Sequence, residues 1–184
     1  MPMDKIMGHL ATKGKKLEPD NIRSLFFGDF GKPEAANKIY DEITDEEQLK
    51  AVMDNYLEEY NQISTAPMSL VMFRFAIEHV SRVCRVLSQP GGNSLLIGVG
   101  GSGRQSAAKL ATFIQEYDCF QLEITRTYSI TDWKDDMKRL LLRAGVDGKP
   151  TTFLFGDQQI NTARINHTFK TCFFLYQVLC ISFI

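Results

Sequence analysis

The run Leu95-Leu96-Ile97-Gly98-Val99-Gly100-Gly101-Ser102-Gly103-Arg104-Gln105-Ser106 constrains this chain more than any other stretch. Residues 94–98 read as a buried strand, four glycines follow within positions 98–103, and a helix then starts. A strand, a glycine turn and a helix in that order form the local architecture of a phosphate-binding loop. Glycine has no side chain, so the backbone can come close to an anion. Successive N–H groups then turn inward and cradle its oxygens. The spacing Gly98-x4-Gly103 fits the Walker A pattern. The next two positions depart from it: Arg104 stands where Lys is expected, and Gln105 where Ser or Thr should hold magnesium. The candidate phosphate contacts are Gly98, Val99, Gly100, Gly101, Ser102, Gly103, Arg104, Gln105 and Ser106.

The rest of the chain bounds the alternatives. Its 184 residues suffice for one domain of ordinary size. A net charge of −1 provides no bulk field to attract nucleic acid or an anionic membrane. Cys84, Cys119, Cys172 and Cys180 are scattered without ligand spacing, so they read as reduced, buried thiols rather than a metal site. The N-terminus lacks an apolar core of signal-peptide length. The apolar stretch 172–184 is shorter than the roughly 20 residues that span a bilayer.

Residues 1–43 read as irregular, broken by Gly28, Gly31 and Pro33. Within them Leu25-Phe26-Phe27-Gly28-Asp29-Phe30 is an apolar knot expected to dock on a larger body. Thr44-Asp45-Glu46-Glu47 reads as a capping box with Thr44 at the cap. Leu49, Val52, Met53, Tyr56, Leu57 and Tyr60 then recur at helical spacing, which predicts a helix over 45–62. A second helix follows Pro67, with Phe73, Ala76, Ile77, Val80, Val83, Cys84 and Leu87 as its apolar stripe and Pro90-Gly91-Gly92 as its stop. His79 beside that stripe reads as a surface residue with no special role. From residue 94 strands and helices alternate: strand 94–98, helix 105–117, strand 120–124, a helix capped by Thr131 with Gly145 just past its end, and strand 151–156. That order predicts a parallel sheet with right-handed crossovers.

Ligands of such sheets bind at the carboxyl ends of the strands. The glycine loop is one such end. The other is Phe153-Leu154-Phe155-Gly156-Asp157, where an acid closes an apolar strand in the Walker B position and helps to hold magnesium. Arg104 keeps the positive charge of the expected Lys, but its planar fork is a poorer point charge between phosphates. Gln105 offers magnesium only a neutral carbonyl, and Ser106 compensates only if the helix start shifts. Two other readings exist. A glycine turn can serve close packing alone. The run Gly98-x-Gly100-x-x-Gly103 also satisfies the dinucleotide fingerprint, with Glu123 twenty residues after Gly103 as the ribose-binding acid of a Rossmann-type oxidoreductase. The acid after strand three has no role in that second reading.

The segment 90–106 resembles the fourth AAA+ module of axonemal dynein heavy chains. The likeness continues through Phe120-Gln121-Leu122-Glu123-Ile124, Tyr128 and 153–160. Upstream, Leu57-x-x-Tyr60-Asn61 and 76–82 resemble the segment that joins the third module to the fourth. The resemblance covers roughly 25–160. It implies an α/β fold, a partial AAA+ P-loop NTPase large subdomain with a parallel sheet and flanking helices, preceded by a helical segment. The expected organisation is an irregular region and linker helix over 1–66, a partial P-loop domain over 67–160, and an apolar tail outside the family over 161–184.

The resemblance further implies ATP or ADP with Mg2+ as ligands, and Asp157 as the residue that holds the metal. It implies a regulatory rather than a driving role in a microtubule motor. Family ATPases carry a Glu after the Walker B acid to activate water; here Gln158 stands there, and an amide cannot accept a proton at neutral pH. A missing base costs about 10²–10⁴-fold in rate, so little or no ATPase activity is expected. The implied partners are the other AAA+ modules and dynein complex subunits, with microtubules reached only through the full-length motor. The implied location is the cytoplasm and cytoskeleton, in the axoneme of a cilium or flagellum. After Ile160 the family pattern stops, and its fourth strand, which lies between strands one and three, is not recognisable. The tail then reads as the end of a truncated product or gene model, expected to fill the gap as a strand or to pack on the sheet as a helix. A truncated fragment without function is the remaining alternative.

Overall fold

A computed structural model describes residues 26–31, 33, 38–125, 127–156 and 180–181. The chain divides into two compact units, Met1–Leu49 and Lys50–Ile184.

In the first unit the apolar knot folds on itself. Strand β1 (Phe26–Gly28) pairs antiparallel with β2 (Asp41–Ile43), in the register Phe26↔Ile43. This pair replaces the irregular stretch expected over 1–43. Alternation buries Phe26 and turns Phe27 outward onto Tyr40, with ring centroids 6.3 Å apart. Phe30 is buried and tucks against Gly28: a Cβ there would lie 2.6 Å from its ring. Helix α1 (Glu46–Ile63) is capped by Asp45 rather than by Thr44. One carboxylate oxygen of Asp45 accepts from the amides of Glu47 and Gln48, both at 3.0 Å. An ionised acceptor at a helix start satisfies two orphan donors at once.

In the second unit Met53 and Leu57 of α1 are buried, and Tyr60 meets Phe113 edge-on at 5.6 Å. Asn61 brackets Met68: its side-chain oxygen accepts from the Met68 amide at 2.8 Å, and its amide donates to the Met68 carbonyl at 3.0 Å. Helix α2 (Arg74–Leu87) buries Ile77, Val80, Val83, Cys84 and Leu87, as its spacing predicts, whereas Phe73 stays outside the helix and exposed. The buried face of α2 packs on α3 (Arg104–Ile114), where Ala108 and Ala111 permit close approach. Cys84 Sγ lies 3.8 Å from the Ala111 carbonyl oxygen. At the far ends Ser88 Oγ is 3.1 Å from Gln115 Oε1, and the Tyr117 hydroxyl donates to the Leu87 carbonyl at 3.3 Å.

Strands β3 (Asp118–Gln121), β4 (Thr151–Leu154) and β5 (Cys180–Ile181) form a parallel sheet in the order β3-β4-β5. The register pairs Phe120 with Phe153, and Phe153 with Cys180. Thus two residues of the apolar tail take the edge of β4 away from β3. Helix α4 (Ile130–Gly145) covers one face, packing Trp133, Met137 and Leu140 with Leu122, Phe153 and Phe155. Helix α3 also packs against β3 and β4. The cap of α4 is Ser129, not Thr131. Ser129 Oγ accepts from the Asp132 amide, and the Asp132 carboxylate accepts from the Ser129 amide at 2.8 Å. Gly145 lies inside the helix, and the left-handed turn falls at Gly148, with φ +64°.

One expected strand is absent from the sheet. Residues 94–98 belong to no ladder among the described residues, and Leu95, Ile97 and Val99 are 53%, 67% and 82% exposed. A strand of a parallel sheet is hydrogen-bonded by neighbours at its edges and buried by layers on its faces. The described strands offer this segment no such neighbours.

Candidate functional site, a glycine turn beside an apolar cleft

The chain leaves the segment 94–98 in a tight turn. The Ser102 amide donates to the Val99 carbonyl at 3.2 Å, and Gly101 and Gly103 have φ of +79° and +75°. That left-handed conformation is open to glycine at no steric cost. Gly103 is the N-cap of α3, and no side chain caps the helix. The first intrahelical bond runs from the Ala107 amide to the Gly103 carbonyl at 2.8 Å. A glycine at the cap brings no side-chain oxygen to the first-turn amides, which lie at the positive end of the helix dipole.

Inside the turn Arg104 folds back on the start of the loop. A Cβ on Gly98 would lie 3.3 Å from Arg104 Cδ and 3.3 Å from Ser102 Oγ. By contrast, nothing lies within 4 Å of a Cβ on Gly100 or Gly101, so the crown of the turn is open. The turn forms one wall of a cleft of about 940 Å³. The facing wall comes from 69–73 and the start of α2, including Leu70, Val71, Phe75 and His79. The walls approach at Gly103, whose Cβ would lie 3.4 Å from Leu70 Cδ2. His79 meets the Phe75 ring edge-on, with centroids 4.3 Å apart. His79, read from sequence as a surface residue with no special role, stands on the cleft wall.

The structure brings Gly98, Val99, Gly100, Gly101, Ser102, Gly103, Arg104, Gln105 and Ser106 together in one turn and helix start. Strand β4 leads into buried Phe155 and Gly156, and the next two candidates, Asp157 and Gln158, lie outside the described residues. Glu123 is exposed, two residues beyond the end of β3. Cys84 is buried as expected, but Cys119 is exposed. Among the described residues no group of three or more His, Cys, Asp or Glu could hold a metal ion. No described helix is long and apolar enough to cross a membrane. The facing wall was missed from sequence. Its signal was Phe75, a large aromatic residue off the buried stripe of α2 that had no core role to fill.

Residues 68–171 match the family described as the P-loop containing dynein motor region D4. Over 158 residues, 86% of the chain, the sequence is 61% identical to dynein axonemal heavy chain 3 of Homo sapiens. It is 58% identical over 158 residues to dynein axonemal heavy chain 3 of Mus musculus. It is 47% identical over 139 residues, 76% of the chain, to dynein axonemal heavy chain 1 of Homo sapiens. The chain spans only 4%, 4% and 3% of these three curated relatives.

Proposed function

The chain belongs to the family of the P-loop-containing dynein motor region D4, and from that premise we propose that it is a nucleotide-holding regulatory module of an axonemal dynein heavy chain, the fourth AAA+ module of the motor. The carrying observation is the uncapped glycine turn at the start of α3, open at its crown and set on a cleft. Amides of 98–106 receive the polyphosphate of ATP or ADP, as backbone donors at a helix start do for anions. Arg104 adds a guanidinium at the same end. Asp157 would hold the Mg2+ that accompanies the nucleotide. That ion, when bound, neutralises charge on the β and γ phosphates. The dinucleotide reading gains no support from the matched family, which is a P-loop one.

Gln158 has no group to take a proton from water, so turnover on the isolated chain is very slow and the module acts by its nucleotide state. Its partners are the other AAA+ modules and dynein subunits, and it reaches microtubules only through the full-length motor, in the axoneme. Calorimetric titration of the chain, after circular dichroism shows it folded, tests this reading. ATP and ADP should bind and NAD should not. A folded sample that binds neither adenine nucleotide overturns the proposal. Robust Mg2+-dependent ATPase activity overturns its non-hydrolysing part, and Gln158→Glu is expected to raise turnover above that of the wild type.

A further inference from the structure

Two neighbouring residues of α1 reach the supports of the two cleft walls. The Tyr60 ring meets Phe113 edge-on at 5.6 Å, on the helix whose front carries the glycine turn. Asn61, the next residue, clasps Met68, one position before the facing wall begins. Its side-chain oxygen accepts from the Met68 amide at 2.8 Å, and its side-chain amide donates to the Met68 carbonyl at 3.0 Å. An Asn side chain carries a donor and an acceptor in one plane, so it meets both backbone groups of one residue as a neighbouring strand would. The wall has few other ties. Residues 69–73 lie outside every helix and ladder among the described residues, and Met72 is the one buried side chain in them.

We propose that Asn61 is a positioning residue of the nucleotide site: it fixes the wall 69–73 at the distance from the glycine turn that a nucleoside polyphosphate spans. Asn61 does not line the cleft, so it acts through Met68. The clasp also makes the hold on nucleotide responsive to α1. A shift of the last turn of that helix reaches one wall through Met68 and the other through Phe113. By linkage, a ligand that needs both walls strengthens the clasp by the factor by which the clasp strengthens its binding. The inference rests on the nucleotide reading of the cleft, but it concerns a residue outside the cleft and can fail separately.

The test measures dissociation constants of ADP with Mg2+ and of inorganic tripolyphosphate, which needs only the turn, for the full chain and for Asn61→Ala and Asn61→Asp. Asn61→Ala loses both bonds. Asn61→Asp keeps the acceptor but sets a carboxylate against the Met68 carbonyl. Both should weaken ADP about tenfold, the size of one or two neutral hydrogen bonds, and leave tripolyphosphate unchanged. In the wild type, hydrogen exchange at the Met68 amide should slow about tenfold when ADP is saturating, and not with tripolyphosphate. A clasp that only stabilises the fold would lower the melting temperature and both affinities together, and ADP would leave Met68 exchange unchanged. Circular dichroism checks that each variant is folded; if neither folds, the exchange measurement on the wild type decides. Unchanged ADP affinity in a folded variant, or Met68 exchange that ADP slows no more than tripolyphosphate does, overturns the positioning role and leaves the nucleotide reading standing. If ADP and tripolyphosphate both fail to bind the wild type, the nucleotide reading falls and this inference with it.

Discussion

Glycines of the turn fall into three physical classes, and each predicts a different result. Gly103 holds a left-handed φ of +75°, and a Cβ in that conformation costs about 1–2 kcal/mol. Gly103→Ala should lower stability in chemical denaturation by that amount. Gly100 has neither a positive φ nor a neighbour within 4 Å of a Cβ, so Gly100→Ala should leave the denaturation midpoint unchanged. Gly98 lies between these cases. Its Cβ would press on two side-chain atoms, Arg104 Cδ and Ser102 Oγ, which can move. Gly98→Ala should therefore spare stability but displace the guanidinium. Nucleotide affinity should then weaken by about tenfold, the size of one charge-assisted hydrogen bond. An equal loss of stability and affinity would count against this division. The loop was legible from its residues because glycine spacing is a local code. The cleft wall that carries Phe75 and His79 was not, because it stands opposite the turn only once α2 is folded.

At the scale of single elements, α4 is the best test of local electrostatics. Hydrogen bonds from the Ser129 backbone and side chain hold the Asp132 carboxyl below its usual range. The folded pKa lies below the unfolded one, so this contribution is present above the ordinary Asp value of about 3.9 and is lost as pH falls through the folded value. Denaturation followed between neutral and acid pH should show α4 loosening on the acid side. Ser129→Ala should cost about 1 kcal/mol at neutral pH and flatten that acid response. In the same helix the Asp136 carboxylate accepts from the Tyr128 hydroxyl at 2.6 Å. Burial and that bond raise the phenol above its usual range. In α3 the fully buried Leu110 is the element's main anchor, and Leu110→Ala should cost about 2–5 kcal/mol. Helix existence was legible from apolar spacing in all four cases. The caps were not. Thr44 and Thr131 resemble caps in composition, but Asp45 and Ser129 occupy the positions from which an oxygen reaches the free amides.

At the scale of the whole molecule, the exposed rib Leu95, Ile97 and Val99 sets how the chain behaves in solution. Exposed apolar side chains on a segment with no ladder partner among the described residues favour association between copies. Light scattering should show association that grows with concentration. Ile97→Lys should suppress it without lowering stability, because Ile97 is already exposed. Sequence alone placed this segment inside a sheet, since five residues of strand-like composition cannot report whether neighbouring strands exist. The pairing of β3 with β4 was legible, because each strand is flanked by turns and joined through a helix of crossover length. Finally, α2 and α3 are fastened at their rear ends by Ser88 to Gln115 and by Tyr117 to Leu87. The front of α3 ends in glycine. A rod of eleven residues, about 16 Å long, is thus tied to α2 by side-chain hydrogen bonds just behind its rear end and held by its buried face along its length. Load applied at its front should therefore pass through the whole packed helix toward the strand that begins at Asp118.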